Sequence, residues 1–276
     1  MKLSSAARFF DRVSVYHPDT LSFLFKCQID NFDGSRRDAF AAYRRLMTTD
    51  AECQIPETGS IRLWDKVWLV GESQNDGWET IHRVNHILHQ CSGKATVRTV
   101  AQFLAGEAGT TEWADYQWLT SRKEEAYSSE NPQEYGIFMR LGAVVPEHAV
   151  ITADGQTFLC KYNRPADSGF RICVTMLQED ATPVSVQFIE RSFVPGSGGY
   201  VDGVSRPVPA MLVRWQEFFQ YEEEITAKYE HGDVTVLVRK EEPVTKGLVM
   251  QVRGRRWTVV NTQAGDGITI IHARPA

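Results

Sequence analysis

The chain lacks most of what would announce an enzyme, a membrane protein or a disulfide-bonded secreted domain. Its 276 residues include only five cysteines, Cys27, Cys53, Cys91, Cys160 and Cys173, an odd and scattered set. None stands in CxxC spacing, which leaves no support for a zinc knuckle or a thioredoxin-type motif. Most lie in apolar, strand-like contexts where a free thiol packs as a small hydrophobe, so a reducing, intracellular compartment is expected. No window approaches the ~20 consecutive apolar residues of a membrane-spanning helix. Met1 to Asp11 holds no long apolar stretch of the signal-peptide kind, and a soluble protein made in the cytoplasm is the expectation. Charge of one sign is also scarce: a net −5 argues against a whole-molecule grip on nucleic acid and leaves only local basic strips.

Catalytic motifs are missing too. Gly196-Ser197-Gly198-Gly199 continues into Tyr200-Val201-Asp202 with no lysine and no βαβ unit, so it reads as a hairpin tip rather than a phosphate cradle or dinucleotide fingerprint. Glu124-Glu125, Glu222-Glu223-Glu224 and Glu241-Glu242 are contiguous and polar. General acid–base chemistry wants two carboxylates in different, partly buried surroundings, so these runs read as solvated faces or interface rims. There is no Gly-x-Ser-x-Gly elbow. The chain is read as a non-enzyme, and no cofactor is expected.

What is there is a phrase repeated three times. Ile61 to Gly71, with Asp76-Gly77-Trp78 beyond, is an apolar strand, a tight turn, an aromatic-bearing strand and an Asp-Gly loop. Val150 to Cys160, with Asp167-Ser168-Gly169-Phe170 beyond, repeats it, and so does Leu248 to Val260 with Gly265-Asp266-Gly267-Ile268. Alternation recurs at Val234, Val236 and Val238 and at Ile268, Ile270 and His272. An apolar share of 42% supplies a core. The expected fold is mainly β: two or three small β-barrel or sandwich modules with long inserted loops or hairpins and a little helix. The expected organisation is an N-terminal β module over 1–95, a connector over 96–133, a second β module over 134–180, an inserted hairpin or arm over 181–230 and a C-terminal β module over 231–276.

Within that frame, Asp11 to Phe25 reads as a hairpin turned at Pro18-Asp19. Asn31 to Met47 fits either a short helix or an extended arm. Trp78 to Cys91 carries helical spacing, but the repeat wants a strand there, and strand is the reading taken. Val97 to Leu104 reads as a short helix. Val184 to Phe219 reads as a long hairpin around the glycine-rich tip, able to reach a neighbouring subunit.

Candidate binding residues follow from residue type. His82, His86 and His89 would share one face of a helix and offer imidazoles to zinc or copper; on a strand the rings scatter, so they are read as exposed or interfacial and no metal is assigned. Arg36, Arg37, Arg44 and Arg45 form one cluster, with Arg253, Arg255 and Arg256 a second. Guanidinium forks suit carboxylate or phosphate. With Trp113, Trp118, Tyr200 and Arg206, these are the candidates for a subunit interface or a DNA channel.

The repeats carry a resemblance. Leu248 to Val260 with its Gly254-Arg255-Arg256-Trp257-Thr258-Val259-Val260, and Ile61 to Gly71, resemble the small β-barrel head–tail joining proteins of tailed bacteriophages, also called head-completion or stopper proteins. Tyr43-Arg44-Arg45-Leu46-Met47 leading through Ile55-Pro56 to Trp68-Leu69-Val70-Gly71 is similar to phage neck or tail-connector sequences. The chain departs from that family in length, since those proteins are usually a single small barrel. The resemblance implies a structural virion protein that forms a homo-oligomeric ring in the head–tail connector, neck or proximal tail around the DNA channel. Its implied partners are itself, portal, adaptor or tail proteins, and packaged DNA through non-specific contact; it implies no catalytic residues. The alternatives are a capsid-surface or fibre-attachment virion protein, and a metal-binding protein or enzyme using His82, His86 and His89.

Overall fold

A computed structural model describes residues 12–31, 44–75, 83–118, 134–166, 169–196, 198–213 and 232–276. Strands β1 (Val13–Tyr16), β2 (Phe23–Asn31), β3 (Arg44–Asp50), β4 (Ser60–Leu63), β5 (Lys66–Asn75) and β6 (Arg83–Gln90) close one barrel. A second barrel takes β7 (Gly93–Arg98), β8 (Thr110–Trp118), β9 (Glu134–Arg140), β10 (Val150–Ala153), β11 (Gln156–Pro165) and β12 (Phe170–Leu177). The third takes β13 (Val184–Val194), β14 (Gly199–Val213), β15 (Val234–Arg239), β16 (Val249–Val252), β17 (Arg255–Ala264) and β18 (Ile268–Pro275). The mainly β, modular expectation is met, and the number of modules is three.

All three barrels follow one path. Around each wall the strands run first, second, third, sixth, fifth, fourth, and the first closes on the fourth. Each barrel is thus two antiparallel three-stranded meanders joined along both edges, which leaves no free sheet edge. The repeated phrase is the second meander of each barrel.

The structure extends the repeat backwards through the preceding strand. Asp50, Arg140 and Arg239 hold one position, accepting backbone hydrogen bonds from Cys53, Ala143 and Glu242 at 3.0, 3.0 and 3.1 Å. Val70, Cys160 and Val259 hold another, donating to the carbonyls of Gly59, Ala149 and Leu248 at 2.9, 2.8 and 2.9 Å. The same number of residues separates the two positions in every copy. Between them lie matched inward side chains: Ile61, Ile151 and Met250; Trp68, Phe158 and Trp257.

The first meanders are where the expected boundaries shift. The stretch expected as a connector contributes β7 and β8 to the second barrel, and the stretch expected as an inserted arm contributes β13 and β14 to the third. Their first connections differ completely, so no common phrase marks them. In the first barrel it is a turn at residues 18–20, between β1 and β2, at the Pro18-Asp19 signal. In the second it is helix α1 (Val100–Ala105), capped by a reciprocal Thr99–Gln102 box and ended by Gly106 at φ 70°. In the third it is the glycine-rich tip. The 78–91 stretch resolves as β6 from Arg83 onward. Arg36, Arg37, Trp78 and His82 lie outside the described residues, as does the 32–43 part of the stretch left open between helix and arm; its end is β3.

By compactness the chain separates into two units, Met1–Val97 with Thr111–Glu147 and Tyr162–Met176, and Arg98–Thr110 with His148–Lys161 and Leu177–Ala276. In the first unit, outward-facing Leu69 of the first barrel packs with Phe138 and Phe170 of the second, and Ile87, Cys91, Trp113 and Ile172 close around them. In the second unit, α1 packs on β14 and β15 of the third barrel. The outward-facing Leu237, Ile268 and Ile270 of that barrel are buried. Strand pairing makes these faces equivalent: Phe138 opposes Ile172, and Leu237 opposes Ile270. The same place in the first barrel is polar, with Thr48 opposite Asn85 and Asp50 opposite Arg83. There Thr48 donates to Asn85 at 2.8 Å, so this face is held by polar rather than apolar contacts.

The β4–β5, β10–β11 and β16–β17 turns are two-residue hairpins, and their backbone explains their sequence. Asp154-Gly155 and Arg253-Gly254 have positive φ at both positions, the type I′ geometry that matches strand twist. In the first copy only Trp64 is left-handed, at φ 53°, and its ring is 56% exposed. A side chain other than glycine is strained there and this one packs little. Trp64→Gly is therefore expected to raise stability by roughly 0.5–1 kcal/mol, read as an increase in thermal midpoint; an unchanged or lower midpoint would show the indole does structural work.

Candidate interaction surface

Of the places among the described residues that gather chemically distinctive side chains, the first is the packed seam of the first unit. His89 on β6 is fully buried and its Nε2 lies 2.8 Å from Oδ2 of Asp115 on β8. Ser92 also donates to Asp115. The imidazole stacks on Phe138 at 4.7 Å between centroids and is tilted against Phe170 at 5.7 Å. Arg44 is likewise buried, with its guanidinium over the Phe170 ring at 5.9 Å. Arg140 clasps Glu112 with two hydrogen bonds of 2.9 and 3.0 Å and reaches the carbonyl of Glu57 at 3.5 Å. Gly59, at φ 60°, lets Arg140 lie so close that an added Cβ would stand 3.1 Å from it.

The seam changes the meaning of several candidates. Arg44 is a packing residue within the chain, not part of an open basic strip, and Arg45 donates to the Arg44 carbonyl at 2.7 Å. Trp113 is an interface anchor, but of this internal seam, with the Lys94 ammonium over its ring at 5.0 Å. Trp118 ends β8. His86 and His89 sit three apart on a strand and so face opposite sides. Among the described residues no group of three His, Cys, Asp or Glu side chains stands placed to hold a metal ion.

The second place is the long ribbon of β13 and β14. Val186, Phe188, Val208 and Ala210 point into the third barrel, and beyond Ile189 the two strands leave its wall. The register slips between Ile189 and Arg191, opposite Gly203. A Cβ at Gly203 would come within 3.2 Å of the Glu190 carbonyl oxygen, so glycine is what the bulge admits. Past the bulge Arg191 opposes Asp202 and Phe193 opposes Tyr200 on one face, while Ser192 opposes Val201 on the other. Phe193 and Tyr200 meet edge to face at 5.5 Å, and Arg191 lies over the Tyr200 ring at 5.4 Å.

Charges tether this ribbon at its base. Asp202 accepts from Arg191 at 3.4 Å and from Arg256 of β17 at 2.8 Å, and Arg206 pairs with Glu242. A groove of about 780 Å³ runs beside it, lined by Phe188, Arg191, Tyr200, Val204, Arg206 and Lys246. Arg253, in its left-handed turn, is bound to Asp180, whereas Arg255 is exposed. Tyr200 and Arg206 thus line one groove and Arg256 is tied to the ribbon through Asp202, while Arg253 is held by Asp180.

Both faces of the ribbon expose large apolar groups: Phe193 is 55% exposed, Tyr200 63%, Val201 52% and Val204 73%. An aromatic cross-strand pair contributes about 0.2–1 kcal/mol, and a two-stranded ribbon alone is marginal in water. Large apolar groups left exposed together in this way are what a contact surface would offer. Phe193 and Val204 were not singled out from sequence, although the aromatic pair flanking the glycine-rich tip was a usable signal. No protein-family model, curated protein or solved structure matches the chain.

Two outcomes are expected. Asp115→Ala leaves buried His89 and Ser92 without their acceptor and should cost about 2–4 kcal/mol of unfolding free energy, measured by denaturant titration, with Asp115→Asn milder. Burial holds His86 below its ordinary value of 6.5. The unfolded chain therefore takes up that proton first, so stability is full above the ordinary value and falls as pH drops below it. Thermal melts of His86→Gln should show a shallower loss between neutral and mildly acid pH than the parent chain.

Proposed function

We propose that this chain is a structural subunit of a tailed-bacteriophage particle, built into a ring in the head–tail connector, neck or proximal tail around the DNA channel. The reading rests on the resemblance carried by the repeated strand–turn–strand phrases, and one observation of the fold supports it most. The β13–β14 ribbon projects from a closed barrel with apolar groups on both faces, which is the form of an arm that seats in a neighbour. Closed barrels supply stiff walls without free edges, and heterologous contacts between identical subunits close into rings. Portal, adaptor or tail proteins would flank such a ring, and the exposed Arg255 would be available to a phosphate backbone.

Electron microscopy of the purified chain and of particles that contain it is the test. The expected image is a closed symmetric ring with a central opening on the particle axis. A chain that is never seen in a symmetric ring sinks the proposal, and a position on the capsid surface or at a fibre base would favour an attachment module instead.

A further inference from the structure

The connection between the first and second strands behaves alike in the first two barrels. In the first unit, Asp19 in the β1–β2 turn forms a 2.8 Å ion pair with Lys94 on β7 of the following barrel. Lys94 in turn lies over Trp113 of β8, and its ammonium holds the Asp19 carboxyl below the ordinary range. In the second unit, the β7–β8 connection is α1, and it packs on β14 and β15 of the barrel that follows it. There Ala101 lies 3.4 Å from where a Cβ on Gly267 would stand. Each connection docks on the next barrel, and the second strand's side of that barrel takes part both times. The third connection is the β13–β14 ribbon, and among the described residues no further barrel follows β18 to receive it.

Exposed apolar groups point to where that ribbon goes. Among the described residues, those of the third barrel all lie on the ribbon. The second barrel has two, Val144 and Tyr162, on separate segments. The first barrel has Trp64 alone in its β4–β5 turn and a cluster beside β2: Leu21 at 58%, Phe23 at 57% and Tyr16 at 36% exposure, with Tyr16 and Phe23 edge to face at 6.1 Å. We infer that the ribbon seats on the β1–β2 side of the first barrel of a second copy of this chain, repeating between molecules the docking step the chain makes twice within itself. The contact is heterologous, ribbon to β2 side, so every molecule keeps one free surface of each kind until a ring closes or a filament grows. The polar outer face of β3 and β6 is not the contact. This inference deepens the ring reading by naming its two surfaces, and a ring built through other surfaces would leave that reading standing while this one fails.

Sedimentation velocity of the full chain over a wide concentration range, with Val204→Asp on the ribbon and Phe23→Asp on the first barrel, tests it. Both side chains are more than half exposed, and an unchanged thermal midpoint checks that each variant folds; Leu21→Asp replaces Phe23→Asp if it does not. The parent chain is expected to associate with rising concentration, and each variant to weaken this by about thirtyfold, the loss typical of an anchor residue. Mixing the two variants decides the matter. Each keeps the surface the other lost, so the mixture should form dimers and nothing larger. A parent chain that stays monomeric throughout, variants that associate like the parent, or a mixture that stays monomeric would each overturn the inference.

Discussion

Phe138 and Phe170 point out of the barrel they belong to, and they have to be covered. A closed β wall fills its inside with its own side chains, here with Trp68, Phe158 or Trp257 at one matched position, but cannot hide what it carries outside. Burying one such aromatic or a leucine is worth roughly 1.5–3 kcal/mol. Much else in the first unit answers that demand. Leu69 and Ile87 give up solvent, Arg44 lays its guanidinium on a ring, and His89 is drawn between Phe138 and Phe170. Once buried, His89 needs a polar partner, which is why Asp115 and Ser92 meet it. The polar atoms of the seam follow from its apolar ones.

The same face shows how one fold is tuned by position in the chain. At matched places the wall carries Thr48 and Asn85, then Phe138 and Ile172, then Leu237 and Ile270. The backbone pairing is unchanged; only the side chains decide whether the face is polar or apolar. The first connection is varied in the same way, as a turn, a capped helix and a ribbon. Conserved pairing with exchangeable outer faces and connections lets repeated barrels take different neighbours.

Legibility followed the strength of the local signal. The second meanders could be read because each holds a two-residue turn between apolar strands, and Asp154-Gly155 and Arg253-Gly254 have the backbone that such pairs favour. The Val97 to Leu104 helix was legible from its spacing, and its start at Val100 is set by the Thr99 cap. The ribbon was legible from alternation on both sides of a glycine-rich tip. The first meanders were not, because their strands share no turn chemistry and the second and third barrels were split by it into modules and insertions. Side-chain roles were least accessible. Arginine and histidine in a sequence suggest water, phosphate or metal, and nothing local reveals that Arg44 and His89 will be stacked on phenylalanines that are distant in the chain. The ribbon's exposed surface was half visible: Tyr200 and Arg206 stood out by type, while Val204 is exposed only because no wall lies behind it.

The shared order of strands has a bearing on how the chain reaches this state. In each barrel the first strand must find the fourth and the third must find the sixth, so pairing is largely non-local and slow compared with helix formation. A strand from one barrel fits the ladder of another, since β3, β9 and β15 hold the same place, and adjacent repeats of like topology are prone to exchange. Two features work against such errors. Synthesis releases Val13–Gln90 before the later strands exist, which allows the first wall to close alone. The matched inward positions also differ in bulk, with Leu63 facing the core where the later copies have Ala153 and Val252. A transplanted strand would leave a void or a clash, so the divergence of the repeats guards the folding path as well as shaping the surfaces.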